Sequence, residues 1–320
     1  MTTRIATALL YAAALAASST RAGAQKPDKP DKPAKAEKER KAGADTTTPP
    51  LFATEAPLAV TLTANIRTLR GDKSETSPYR AATMSYTDAD GKTVSVPFTV
   101  KTHGVWRLKH CVFPPLRLKF SNKETKKTLF YDLQKPKMVS VCKDNDSYEQ
   151  LLLKELQLYR VYQAITPVSH RVRTLKVSYA DSATGKVEMT RYAFLFEDPD
   201  ELSDRLGGML TKAKGALSDD FDFSGAVNAP YATVDPQFRA KRVVDRMFRG
   251  YCAILPNYPA AIALIQTRKD RIYALYRDSI GSLLSPDNVK ETLEYYDRFF
   301  DEVKTPRDAE ANVLRTCYRR

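Results

Sequence analysis

The chain has 320 residues, with 51 Lys or Arg against 38 Asp or Glu and three His, a formal net charge of +13 at pH 7. Hydrophobic residues make up 42%, enough to bury a sizeable core in a large domain. No period of about 20–50 residues repeats, which excludes a solenoid or propeller, and the absence of GxxxxGK[ST], GxGxxG, HExxH and GxSxG motifs sets aside the chemistries they carry.

Residues 1–24 read as an export address. Arg4 supplies a positive start, the apolar run 5–17 is too short to span a bilayer, and Ala22-Gly23-Ala24 places a cleavage site before Gln25. Removing Arg4 and Arg21 leaves +11. In a periplasmic or secreted protein this excess suits acidic or phosphate-bearing ligands or an anionic envelope rather than nucleic acid, with plain solubility as the competing reading. Residues 25–50 (KPDKPDKPAKAEKERK, then TTTPP) are rich in Pro, Lys and acid and read as a disordered linker.

From residue 51 onward the pattern becomes that of a folded α+β domain. Alternating stretches at 59–66, 79–86 and 93–101 predict strands, the last two joined by a turn at Asp90-Gly91. Residues 116–120 and 137–142 add two more, giving a twisted, mostly antiparallel sheet. A helix is predicted from a cap at Asp146 or Ser147 to about 164, ended by Thr166-Pro167. Strands at 172–179 and 188–197 and a short helix at 200–206 come next, with helices at 259–280 and 286–303.

Cys111, Cys142, Cys252 and Cys317 suggest two disulfides in an oxidising compartment, and four cysteines permit three pairings. Keeping each bridge within one half of the domain favours Cys111–Cys142 and Cys252–Cys317. No transmembrane segment is predicted, and neither the cysteines nor His103, His110 and His170 have the spacing of a zinc site or a hydrolase triad.

Four segments carry chemistry. In 101–107 (KTHGVWR), Gly104 permits close backbone approach and Arg107 reaches for phosphate; the competing reading is a strand end with a buried Trp106. Lys137 on a strand and Glu155 in the following helix match a pairing used elsewhere to hold nucleotide phosphates, against the bland alternative that such a lysine and glutamate are common and unrelated. Glu197 ends the apolar strand stretch 192–196. Residues 218–225 (SDDFDFSG) set Asp220 and Asp222 at the spacing of a Mg²⁺ or Mn²⁺ site, against the bland alternative of an acidic surface turn.

Taken in order, GVWR before CVFPPLRLKF, KMVSVCKD leading into LLLKELQLYRVYQAITPVSHRVR, TRYAFLFED, DFDFSGAVNAPYA and FRGYC resemble the CotH-type kinase-like family, in its proteobacterial secreted branch. That resemblance implies an atypical protein-kinase-like two-lobed fold, a sheet-rich lobe at 51–197 followed by a reduced helical lobe at 198–320. It implies ATP with Mg²⁺ or Mn²⁺, Asp220 and Asp222 as metal ligands, and Arg107, Lys137, Glu155 and Glu197 around the nucleotide. His103 stands where relatives carry Arg. Relatives also carry a catalytic loop before the acidic motif, whereas residues 207–217 (GGMLTKAKGAL) contain no Asp, Asn or His. The resulting expectation is a pseudokinase that retains nucleotide or metal binding, with no catalytic residue assigned. The alternatives are an active kinase using Asp219 or Asp204 on an exported protein substrate, and a non-catalytic structural or adaptor protein that binds envelope components.

Overall fold

The computed structural model describes residues 48–207 and 258–313. After a 3-10 turn at Pro50–Phe52 the chain runs β1 (Leu58–Ala64), α1 (Ile66–Gly71), β2 (Arg80–Thr87), β3 (Thr93–Thr102), α2 (Trp106–His110), β4 (Leu116–Lys119) and α3 (Asn122–Thr125). It continues through β5 (Lys137–Val139), α4 (Asp146–Ile165), β6 (Val172–Asp181), β7 (Val187–Phe196) and α5 (Pro199–Arg205). The C-terminal helices are α6 (Tyr258–Thr267), α7 (Lys269–Leu275), α8 (Pro286–Glu302) and α9 (Pro306–Val313).

The strands close into a barrel in the order β1-β2-β3-β4-β5-β7-β6. Every neighbouring pair is antiparallel except β1 and β6, which run parallel from Leu58 opposite Leu175 to Ala64 opposite Asp181. Alternation turns one residue in two inward. Leu62, Met84, Val100, Leu118, Met138 and Leu195 form part of this inner set and are fully buried.

This architecture overturns the expected atypical protein-kinase-like fold of an antiparallel sheet lobe followed by a reduced helical lobe. A closed barrel of mixed strand direction with a few helices stands in its place. Alternation marks a strand but not its partner, and the pairing that closes the barrel joins segments more than a hundred residues apart.

Local sequence accounts for most of the elements themselves. Gly91 has φ of 76° in the β2–β3 turn, a left-handed conformation open to glycine without strain. Helix α4 starts one residue earlier than the expected cap: Asn145 is extended and its side-chain oxygen accepts from Tyr148 N at 3.1 Å. The stretch expected as one helix at 259–280 divides into α6 and α7, with Arg268 N donating to Ile265 O in a tightened turn between them. The short helices α1, α2 and α3 escape periodicity because four to six residues do not complete a hydrophobic stripe.

Helix α4 lies between the barrel and the C-terminal helices. Its Leu152, Leu153, Leu156 and Val161 are buried, and Tyr159 packs against Phe194 and Phe196 of β7. On the C-terminal side, Gln157 Nε2 donates to Leu275 O at 3.1 Å, and Gln150 both donates to Leu283 O and accepts from Ser285 N. Arg160, 3% exposed, forms ion pairs with Glu55 and Asp278, each at 2.5 Å. One guanidinium therefore ties α4 to the segment before β1 and to the turn after α7.

Arg160→Ala is expected to destabilise the fold by about 2–3 kcal/mol. That is below the usual loss for breaking a buried pair, because Glu55 and Asp278 keep solvent access and rehydrate. A urea midpoint at constant m-value measures it; a change below about 0.5 kcal/mol would remove Arg160 from this role.

Candidate functional site

Strands β3, β4 and β5 place three cations in one cross-strand row. Lys101 is the register partner of Arg117, and Arg117 is the partner of Lys137. All three project from the outer face, because their neighbours Val100, Leu116, Leu118 and Met138 fill the interior. Adjacent strands stand about 4.8 Å apart, so three positive charges share a patch of roughly 10 Å. Phe196 of β7 continues the row as the partner of Lys137, and the lysine Nζ stands 5.3 Å from its ring centroid.

Side-by-side like charges on a sheet destabilise it unless something neutralises them. Lys101 has local support: its Nζ donates to Glu75 O at 2.9 Å and lies over Tyr79, which Lys119 also approaches. Arg117 and Lys137 make no ion pair among the described residues, and Arg117 Nε is buried without a hydrogen-bond partner. Burial, and then the neighbouring Arg117, push the Lys137 ammonium below its ordinary pKa, with Asp198 and Asp200 opposing the shift. His103, just past β3, is held below its usual value by burial and then by Arg117 and Lys137, so it stays neutral at pH 7.

The aromatic side of the row is built by α4. Tyr159 stacks on Phe196 at 5.9 Å, and His170 meets Phe196 edge-on at 5.5 Å. One turn earlier on α4, Glu155 accepts from Arg107 Nη2 at 2.7 Å. The expected pairing of Lys137 with Glu155 is therefore not made; Arg107 takes the carboxylate. Gly104, with φ of 104°, turns the chain from β3 into the α2 segment. Trp106, read in one alternative as buried, is 65% exposed at the start of a helix.

Glu197 lies at the foot of this region, and its carboxylate is fully engaged. Arg205 holds it through two contacts at 2.9 and 2.8 Å, and Arg171 N donates to it at 3.1 Å. With 4% of its side chain exposed, it anchors α5 against β6 and has no face left for a ligand. Asp220 and Asp222 lie outside the described residues. Among those described, no group of three or more His, Cys, Asp or Glu is arranged to hold a metal ion.

The disulfide Cys111–Cys142 is present, with Cα atoms 4.5 Å apart, as expected; Cys252 and Cys317 fall outside the described residues. The bridge ties the α2 segment, which carries Arg107, to the end of β5, which carries Lys137. No helix among the described residues is long and apolar enough to cross a membrane. A depression of about 490 Å³ along α7, lined by Lys269, Asp270, Tyr273, Arg277 and Asp278, lies away from the cation row. Its Asp278 already serves Arg160.

Sequence reasoning singled out Arg107, Lys137 and Glu155 but passed over Arg117. The available signal was the alternation of Arg117 and Lys119 with Leu116 and Leu118; that these cations face Lys137 required the register. Comparison with known proteins finds no match among family models, curated proteins or solved structures.

Beside the row, Glu201 of α5 accepts from Gln134 N at 3.0 Å through one oxygen, and the other is buried without a partner. Burial, reinforced by Asp198 and Glu197, raises its pKa to about 7. A raised carboxyl makes the fold most stable below the unfolded value of about 4.3 and progressively less so as pH climbs to about 7. Glu201→Gln keeps the acceptor and removes the titration. It should flatten stability between pH 5 and 8 and stabilise the protein at pH 8 by about 1–2 kcal/mol. Chemical denaturation at the two pH values is the measurement, and an unchanged pH slope would contradict the assignment.

Proposed function

We propose that this chain is an exported protein that binds a phosphate-bearing ligand, a nucleotide among the candidates, at the Lys101–Arg117–Lys137 row. The observation that carries the reading is the adjacent pair Arg117 and Lys137, half-buried and without a direct ion pair among the described residues. Arg offers a planar fork of donors for phosphate oxygens and Lys a compact point charge beside it. Phe196 and Tyr159 bound the row with an aromatic surface suited to a ring-bearing ligand.

The CotH-type resemblance supplies the expectation of a nucleotide, and Asp220 and Asp222 would bring Mg²⁺ or Mn²⁺ to it. The barrel withdraws the kinase fold from that expectation but leaves the anion chemistry standing on its own residues. Binding is the reading because the row supplies cations for an anion and no residue beside it is assigned a catalytic role. Export rests on the leader-like residues 1–24 together with the disulfide, which persists in oxidising compartments.

Substitution of the pair provides a two-sided test. Arg117→Gln with Lys137→Gln relieves like-charge repulsion, so the ligand-free protein should melt at the same temperature or higher. The same double variant should lose at least about tenfold in affinity for ATP or pyrophosphate, a loss of roughly 1.4 kcal/mol. Thermal shift reads both quantities, since ligand at about 100 times Kd stabilises the native state by about 2.7 kcal/mol. Equal ligand response in parent and variant would remove the site, and a response to ATP but not pyrophosphate would assign the affinity to the aromatic side.

A further inference from the structure

The segment between β3 and β4 has a second property that the anion row does not use. Val105, Trp106 and Val112 are 72%, 65% and 54% exposed, and Leu151 on α4 is 56% exposed. These are four of the five large hydrophobic residues more than half exposed among the described residues, the other being Val187. Val105 and Trp106 open α2 and Val112 follows it, while Leu151 stands one turn before Glu155, whose bond to Arg107 joins α4 to this segment.

This exposure is enforced by the fold. Leu108 and Phe113 of the same segment are buried at 2%, so the chain is pinned from beneath. The Cys111–Cys142 bridge, the Val112 N to Cys142 O hydrogen bond at 2.9 Å and the Lys73 Nζ contact with Cys111 O at 2.8 Å fix it from the sides. Trp106 lies flat on His110, ring centroids 4.2 Å apart, which leaves its other face open. A rigid turn therefore presents an indole and aliphatic side chains to the surroundings.

The segment itself carries charge of one sign, and the acidic residues next to it are already paired, Glu155 with Arg107 and Asp144 and Asp146 with Arg191. Residues 91–123 contain no Asp or Glu, while Lys101, Arg107, Lys109, Arg117, Lys119 and Lys123 all fall within them. An indole flanked by aliphatic side chains suits the headgroup boundary of a bilayer, and a basic surround suits anionic lipid. The geometry points to a membrane-docking surface made by Val105, Trp106, Val112 and Leu151, whose partner is an anionic phospholipid bilayer. The apolar contact needs no phosphate ligand, although Lys101 and Arg117 belong to both the basic surround and the phosphate row.

Trp106 is the single tryptophan of the chain, so its emission reports on this surface alone. The full chain is mixed with phosphatidylglycerol–phosphatidylcholine vesicles, with pure phosphatidylcholine vesicles, and with soluble glycerol phosphate. The expected result is a blue shift and co-sedimentation with the first, both weakened by salt, and no shift with the other two. Val105→Ser with Val112→Ser should lower partitioning at least about tenfold with no change in melting temperature, because both side chains leave the apolar phase but neither supports the core. Three outcomes overturn the inference: unmoved emission with anionic vesicles, Trp106 already shielded from acrylamide in the lipid-free protein, or a lipid-free shift that grows with protein concentration and marks a second copy as the occupant.

Discussion

The parallel pairing of β1 with β6 is the constraint on which the rest depends. Without it the seven strands would form an open sheet with two long edges, each a template for further pairing. Closing that seam pairs β1 and β6 along the length of β1, while β3 and β7 meet β4 and β5 only near one end, and it fixes which residues face in and which face out around the ring. Asp181 secures one end of it. Its carboxylate accepts from Ile66 N at 3.1 Å and from Ala183 N at 2.9 Å, and these backbone donors hold it below the ordinary carboxylate range.

Closure leaves α4 as the cover for only part of the outer face. The helix lies over β7, where Phe194 and Phe196 meet Tyr159, and its far side is taken up by the C-terminal helices through Gln150, Gln157 and Arg160. The border of that cover falls at Lys137. On one side of it is an aromatic wall, and on the other the outer faces of β3 and β4 carry Lys101, Arg117 and Lys119. Half-burial without a paired carboxylate costs desolvation and like-charge repulsion, and the proposed anion would offset both. The Arg107–Glu155 pair belongs to the same border. It anchors the α2 segment and occupies Glu155, the carboxylate expected to pair with Lys137.

Much of the local structure was legible before any coordinates. The strands from 59 to 197 and the helix beginning near 146 follow from alternation, helical spacing and cap chemistry, and each is a short-range signal. Cys111–Cys142 was legible as well, since a bridge within one half of the domain joins segments already close in the chain. The kinase-like architecture failed because it was inferred from the order of sequence blocks. Order says nothing about a parallel seam between β1 and β6. Of the candidate site, Lys137 was visible as a lysine on a strand, but its relation to Arg117 depends on a register that a one-residue slip would destroy.

Residue by residue, then, the amino-acid order determined the strands, the α4 helix, the β2–β3 turn, the excess of positive charge and the acid-free run from 91 to 123, because each follows from side-chain chemistry and short-range spacing. Tertiary structure alone decided that the sheet closes, that Glu155 goes to Arg107 and Glu197 to Arg205, and that Arg117 faces Lys137. It also decided that Trp106 lies outside the core. Each of these depends on which distant segments share hydrogen bonds and apolar surface, and that free energy belongs to the whole assembled chain rather than to any window of it.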